Sequence, residues 1–275
     1  MEKFGEILHK QKPIIITFNY DTLIEQTIEH ITESKQPAPK GLLTLNFDSQ
    51  IKLSDEIISY RPSNWSRALG YAIKFDKVQL PISVNKYIKG RKYYSLSENK
   101  LHKWYILKLH GSINWFRYLN IPSGESKVDL KDSFVKKKTK EIILTKGNWF
   151  LDLPPSMDGL YIDTIMITPI LNKGKYFSKD ILKGIFAYLW DKAKEALLKC
   201  KKLIVIGYSF PPTDFLNKKM FLEAFSENDL EELIVVNPDT SVVQKVKDLC
   251  HFDKPVIVCK DLEEYLRYYD KNEYF

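Results

Sequence analysis

Polar residues that could take part in chemistry directly follow apolar segments at four places in the chain. These groups are Asn19-Tyr20-Asp21, His110-Gly111-Ser112, Gly207-Tyr208-Ser209 and Asn237-Pro238-Asp239. In open α/β sheets the ligand binds outside the carboxyl ends of the strands. One sheet could therefore bring all four groups to one edge. There a histidine, whose pKa is normally near neutral, would be available for acid–base chemistry.

Each group also has a purely structural explanation when it is taken singly. Asn19 or Asp21 could cap the helix that follows by accepting hydrogen bonds from its unpaired amides. Gly207 could serve only in a turn, and residues 237–239 resemble a common strand-to-helix turn. His110 needs a polar partner at the end of a buried strand, but a satisfied histidine is commoner than a catalytic one. The residue types alone leave both interpretations open.

The elements that would position these groups follow from the hydrophobic pattern. Short apolar segments typical of buried strands occur at residues 13–18, 104–109, 164–168, 203–206, 233–236 and 256–258. Helical spacing occurs at residues 22–31, 178–199, 213–225 and 241–250. This alternation predicts an α/β fold with a doubly wound, mostly parallel Rossmann-like sheet and helices on both of its faces.

Two stretches interrupt this alternation, residues 33–103 and residues 112–163, and both are too long for simple connections. The second contains alternating segments at 115–119 and 141–145 that are typical of hairpin strands. We therefore expect a single domain over residues 1–275. In it the two stretches are insertions that form a lid or a smaller subdomain.

Composition narrows the class of protein. Hydrophobic residues make up 44% and aromatic residues 13%, which excludes a chain that is disordered throughout. The net charge of +7 would attract either nucleic acid or a phosphate-bearing ligand. The three cysteines form no CxxC pair, which argues against a disulfide framework or a structural zinc site. Since no apolar segment approaches the ~20 residues of a membrane span, we expect a cytoplasmic protein without membrane contact.

The four groups, in this order, resemble motifs of the Sir2-like family. Residues 17–25, TFNYDTLIE, are similar to a strand-end motif that reads TQNID in sirtuins and TTNYD in a bacterial branch. Residues 109–112, LHGS, resemble the strand that carries the family's histidine, and residues 205–214, VIGYSFPPTD, resemble the bacterial GYSLPPTD motif. Asn237 matches the family's ribose-binding asparagine. The resemblance covers residues 13–32, 105–115 and 166–261.

The resemblance implies cleavage of NAD between nicotinamide and ribose. Such a reaction passes through an oxocarbenium-like state, as other glycoside cleavages do. Asp21 would hold the nicotinamide carboxamide, and Asn19 would orient the attacking water. His110 would contact the ribose hydroxyls as a general base or as electrostatic support.

The resemblance also implies a set of residues that bind NAD. Gly207 and Ser209 would take the phosphate or adenosine side, and Asn237 would bind the ribose on the adenine side. Thr17 and Asp239 complete the predicted binding set. NAD would be a substrate, and no metal would be required.

Two departures from the family pattern bear on activity. Residues 112–163 contain no cysteine, so the four-cysteine zinc ribbon of the sirtuin deacetylases has no ligands there. This favours the zinc-free, NAD-hydrolysing branch. The family's Gly-rich GAGxS loop, which cradles pyrophosphate, also has no counterpart, because Gly5 is the sole glycine among the 18 residues before Asn19. Three explanations for the missing loop stay open. The start of the sequence has been assigned too late, a separate chain supplies the loop, or the protein is a degenerate relative that binds NAD poorly or not at all.

Three hypotheses follow. The first is an NAD glycohydrolase that depletes NAD in anti-phage defence, as a homo-oligomer or with a defence partner protein. The second is a catalytically degenerate nucleotide-binding or assembly module, although a scaffold would have no physical need for Asn19, Asp21 and His110. The third is a nucleic-acid-binding protein, which is disfavoured because the basic residues do not cluster into a recognised motif.

Overall fold

The computed structural model describes residues 1–34, 49–53, 56–60, 70–73, 77–79, 93–96, 105–120, 141–144, 159–167 and 181–272. The chain divides into two compact units. The first comprises Met1–Ile167 with Asp180–Phe186, and the second comprises Thr168–Lys179 with Ala187–Phe275.

The first unit mixes helices with short strands. Its elements before residue 168 are α1 (Glu2–Gln11), β1 (Ile15–Thr17), α2 (Leu23–Ser34), β2 (Ser49–Leu53), β3 (Glu56–Tyr60), β4 (Lys77–Gln79), β5 (Tyr93–Leu96), β6 (Ile106–Lys108), β7 (Gly111–Asn120), β8 (Glu141–Leu144) and β9 (Gly159–Met166). The first helix was not predicted, because its segment is mainly polar and charged. It forms because Ile7 and Leu8 are buried.

β1 and β6 form a two-stranded parallel sheet in which Ile15 pairs with Ile106 and Thr17 pairs with Lys108. Both strands lie within segments predicted from their continuous apolar pattern, and all three residues of β6 are buried. α2 follows β1 and buries Ile28 among its apolar positions. Because the two strands are parallel, their carboxyl ends lie at the same edge of this sheet.

The first unit also contains a seven-stranded sheet, in the order β3-β2-β5-β4-β8-β7-β9. β7 pairs antiparallel with β8, which confirms the hairpin strands predicted at 115–119 and 141–145. The strand predicted at 164–168 was expected in a parallel sheet, but β9 pairs antiparallel with β7. The apolar pattern of this segment is compatible with either direction, and its pairing with β7 sets the antiparallel one. That the two insertions form a lid or subdomain stays a prediction.

The later elements repeat the strand–helix alternation that the sequence predicts. They are α3 (Ile181–Lys199), β10 (Lys202–Ile206), α4 (Phe215–Phe225), β11 (Glu232–Val236), α5 (Ser241–Leu249), β12 (Ile257–Cys259) and α6 (Leu262–Asn272). The strands form a parallel sheet in the order β10-β11-β12, with β11 in the centre and buried over four of its five residues. The last helix was not predicted, because its segment is strongly charged and only Tyr265 is buried.

The protein is therefore a mixed α/β protein with short parallel sheets and accompanying helices. Within the described residues, the two-stranded and three-stranded sheets are wholly parallel, and the seven-stranded sheet contains one parallel pair, β4 with β8. None of the described helices is both long enough and apolar enough to cross a membrane.

Candidate functional site

The ends of β1 and β6 bring Asn19 and His110 into the same region of the first unit. Because Thr17 pairs with Lys108, Asn19 and His110 both lie two residues beyond paired positions. The ring of His110 lies 5.4 Å from the ring of Phe18 and 6.2 Å from that of Tyr20, measured between centroids. The two residues that flank Asn19 in sequence therefore both contact His110, while Asn19 itself is exposed.

The segment around Tyr20 is anchored from several directions. Its carbonyl oxygen accepts hydrogen bonds from the amide of Ile113 at 3.1 Å and from the hydroxyl of Ser112 at 3.2 Å. Its phenol donates to the carbonyl oxygen of Ile167 at 2.5 Å. The amide of Ile167 in turn donates to the carbonyl oxygen of His110 at 2.8 Å. The start of β7 and the end of β9 thus fix this segment beside His110.

Gly111 is required by the local backbone. Its φ is +83°, a conformation that residues with a Cβ rarely adopt. A Cβ built there would also lie 2.0 Å from the carbonyl oxygen of Ile165. The glycine after His110 therefore allows the chain to turn from β6 into β7 against β9.

The three other predicted residues of the first unit differ in their surroundings. Asn19 is exposed, and its backbone amide donates a hydrogen bond to Oγ1 of Thr17 at 3.1 Å. Thr17 is buried, and this hydrogen bond shapes the turn after β1. Asp21 is half-buried, and its Oδ1 accepts a hydrogen bond from the amide of Leu23 at 3.0 Å. Asp21 therefore caps α2, as its structural interpretation expected.

A buried ion pair lies next to these residues and was not singled out from the sequence. The Nζ of Lys108 lies 3.0 Å from Oε1 of Glu25, and both side chains are 1% exposed. Tyr71 donates to the same carboxylate oxygen at 2.7 Å. One signal was visible in advance, because Lys108 interrupts an otherwise apolar strand and must find a partner when buried.

In the second unit, the loop after β10 presents Gly207 and Ser209 on the surface. Gly207 has a φ of +65° with open space beside its Cα, and its amide donates to the carbonyl oxygen of Val236 at 2.9 Å. Ser209 is exposed, whereas the next residue, Phe210, is 1% exposed. Phe210 packs edge-on against Phe221 at 5.0 Å, so its buried ring anchors the loop and leaves Ser209 facing solvent.

A second buried polar cluster supports this loop and was also missed. The phenol of Tyr208 donates to Oδ2 of Asp214 at 2.5 Å, and Nδ2 of Asn217 donates to that phenol oxygen at 2.6 Å. Burial, followed by the adjacent Asp214 carboxylate, raises the pKa of Tyr208 far above its usual range. Tyr208 therefore remains a hydrogen-bond donor to Asp214 at neutral pH.

Asn237 and Asp239 shape the turn between β11 and α5. Oδ1 of Asn237 accepts a hydrogen bond from the amide of Asp239 at 2.9 Å. Oδ1 of Asp239 accepts one from the amide of Ser241 at 2.9 Å, and hydrogen bonds with Ser241 lower the pKa of this carboxyl group. Both side chains therefore accept backbone hydrogen bonds within the strand-to-helix turn, which is the structural role expected from the sequence. Because Gly207 is bonded to Val236, they also lie near the loop after β10.

The described residues contain no group of three or more His, Cys, Asp or Glu side chains that could hold a metal ion. Comparison of the chain with protein-family models, with curated proteins and with solved structures produced no match.

Proposed function

We propose that this protein is an NAD glycohydrolase of the Sir2-like family that cleaves the nicotinamide–ribose bond. The observation that carries the proposal is the placement of Asn19 and His110 at equivalent positions beyond paired strand ends. The proposal includes the finer fold, a doubly wound Rossmann-like arrangement. It also includes a cytoplasmic role in anti-phage defence by NAD depletion, alone, as a homo-oligomer or with a defence partner.

The reaction replaces one bond at the anomeric carbon of the ribose. The bond to nicotinamide breaks, and its electron pair passes to the pyridine nitrogen, which becomes neutral. A water oxygen bonds to the same carbon and loses a proton. The exposed amide side chain of Asn19 is suited to orient that water, and the half-buried carboxylate of Asp21 is suited to bind the nicotinamide carboxamide.

His110 supports this reaction in the electrostatic manner that the resemblance offers. The residue is 3% exposed and packs against the rings of Phe18 and Tyr20. These two ring contacts hold the imidazole in one orientation at the end of β6. In this proposal His110 contacts the ribose while Asn19 directs the water.

The resemblance assigns Gly207, Ser209 and Asn237 to the adenosine side of NAD. The exposed backbone of Gly207 and the exposed hydroxyl of Ser209 are available to phosphate oxygens. Asn237 and Asp239 already hold the turn after β11, so they serve the ribose mainly by fixing that turn.

The test is release of nicotinamide from NAD by the purified protein, followed by chromatography. We expect release by the wild type, loss of release in His110→Ala, and unchanged release in His30→Ala, an exposed histidine on α2. Circular dichroism spectra must show that both variants are folded. Absence of release from the folded wild type would contradict the proposal.

A second candidate function is a nucleotide-binding module without catalysis. It is favoured by the hydrogen bonds that give Asp21, Asn237 and Asp239 structural roles. Calorimetric titration with NAD and with ADP-ribose separates the two candidates. Binding of both ligands without any release of nicotinamide selects the module.

A further inference from the structure

A buried polar network lies beside the segment that carries Asn19 and Asp21. Among the residues that the structure describes, it includes the side chains of Glu25, Tyr71, Lys108 and Asn114, and all four residues are buried. Besides the ion pair and the bond from Tyr71, Nδ2 of Asn114 lies 3.4 Å from the phenol oxygen of Tyr71. The network therefore links α2 to β6 and β7.

Lys108 extends this network to the backbone of the candidate site. Its ammonium group donates a hydrogen bond to the carbonyl oxygen of Asp21 as well as to the carboxylate of Glu25. Lys108 is also the register partner of Thr17, and Glu25 lies one helical turn after Asp21. One ammonium group thus joins the end of β6 to the start of α2.

Burial of a lysine at this position is not needed to form the strand. The neighbouring residues Ile106, Leu107 and Leu109 are apolar and fully buried. Desolvation of an ion pair is costly, and apolar residues of similar volume often replace a buried pair without loss of stability. The distinctive contribution of Lys108 is the hydrogen bond to the carbonyl oxygen of Asp21, which an apolar side chain cannot make.

We infer that Lys108 and Glu25 are positioning residues that fix residues 19–21 for catalysis. Lys108 holds the carbonyl oxygen of Asp21, while Ile113 and Ser112 hold that of Tyr20. The carboxylate of Glu25, 3.0 Å from the ammonium group, holds it beside this carbonyl. The consequence for turnover rests on the proposed function, whereas the consequence for the backbone does not.

The competing explanation is that the pair only stabilises the first unit. The double variant Glu25→Gln/Lys108→Met separates the two explanations, because it removes both charges of the ion pair together with the bond to Asp21. Ile31→Val serves as the control, since it shortens a buried side chain of the same helix that is not one of the four network residues. Denaturant unfolding measures the global stability of each variant.

Amide hydrogen exchange by NMR provides the readout that is independent of activity. The informative amides are those of Leu23, bonded to Asp21, and Ile113, bonded to Tyr20. In the double variant we expect both to exchange about tenfold faster than in the control after correction for global stability. The amide of Val235 in the second unit should not change. Equal exchange of Leu23 and Ile113 in the two variants would overturn the inference.

Turnover of NAD provides the second readout. We expect kcat of the double variant to fall about tenfold with KM within about twofold of wild type, while Ile31→Val keeps its kcat. An unchanged kcat in the double variant would overturn the inference. If the wild type releases no nicotinamide, the proposed function fails, and the exchange rates still decide whether Lys108 and Glu25 position the segment.

Discussion

Gly111 and Ile165 approach each other so closely that a Cβ on the glycine would lie 2.0 Å from the carbonyl oxygen of Ile165. This contact and the positive φ of Gly111 are both incompatible with a larger residue. We expect Gly111→Ala to lower the free energy of unfolding by about 3 kcal/mol, as measured by urea denaturation.

Gly184 on α3 is the matched control for that substitution. A Cβ at Gly184 would meet nothing within 4 Å. Gly184→Ala should raise stability by about 0.5–1 kcal/mol, because alanine is favoured over glycine within a helix. Equal effects of the two substitutions would contradict the close packing of Gly111 on β9.

Asp21 has both a structural bond and a proposed chemical role, and two substitutions separate them. Asp21→Ser retains a side-chain oxygen that can accept from the amide of Leu23, whereas Asp21→Ala does not. We expect the alanine variant to lose about 1 kcal/mol of stability relative to the serine variant. Both should lose NAD cleavage, measured as nicotinamide release. Full activity in Asp21→Ser would limit Asp21 to capping α2.

Ser209→Ala should weaken binding of NAD without altering the chemical step. Ser209 is exposed, and the loop is held by Phe210 and by the Tyr208–Asp214 hydrogen bond, so the substitution should not disturb the fold. We expect a raised KM with little change in kcat, as steady-state kinetics would show. Ser226→Ala at the end of α4 is the control. A rise in KM of the same size in this variant would contradict the assignment of Ser209 to NAD binding.

Cys250 should make stability fall at alkaline pH. Burial, with a smaller contribution from the nearby Cys200, raises the pKa of the Cys250 thiol from 9.0 to about 12. A thiol whose pKa is raised by folding stabilises the native state fully below pH 9, and this contribution is lost as the pH rises towards 12. Denaturant unfolding from pH 8 to pH 11 should therefore show declining stability above about pH 9.

Cys250→Ala provides the control for this pH dependence. Its stability should decline less steeply with pH, although Tyr265, whose pKa burial also raises to about 12, keeps part of the slope. The cavity left by the thiol lowers stability at every pH and does not alter the slope. Identical slopes in wild type and variant would show that Cys250 does not contribute.

The sequence was sufficient to locate β1, β6, β10, β11 and β12, because each is a short apolar segment bounded by polar residues. It also placed Asn19 and His110 at strand ends, which the pairing of Thr17 with Lys108 confirms. Amphipathic periodicity likewise located α2, α4 and α5 to within a few residues. These features depend on local pattern, which a single sequence contains.

Features that depend on tertiary contacts were not predictable. The direction of β9 is set by its pairing with β7, and its apolar pattern is equally compatible with a parallel strand. Glu25 appears in the sequence as one more charged residue of a helix, and only packing shows that it is buried against Lys108. The hydrogen bond between Tyr208 and Asp214 joins the two ends of one short loop, whose conformation depends on Phe210 being buried.

The bonds that close the candidate site join parts of the chain that are synthesised far apart in time. Lys108 and Asp21 are separated by 87 positions, and Tyr20 and Ile167 by 147. Contacts between such distant residues form slowly, because a long loop must close before they can stabilise the chain. On the ribosome, residues 19–21 must wait for β6 and then for β9 to emerge. The candidate site is therefore among the last parts of the first unit to be completed during synthesis.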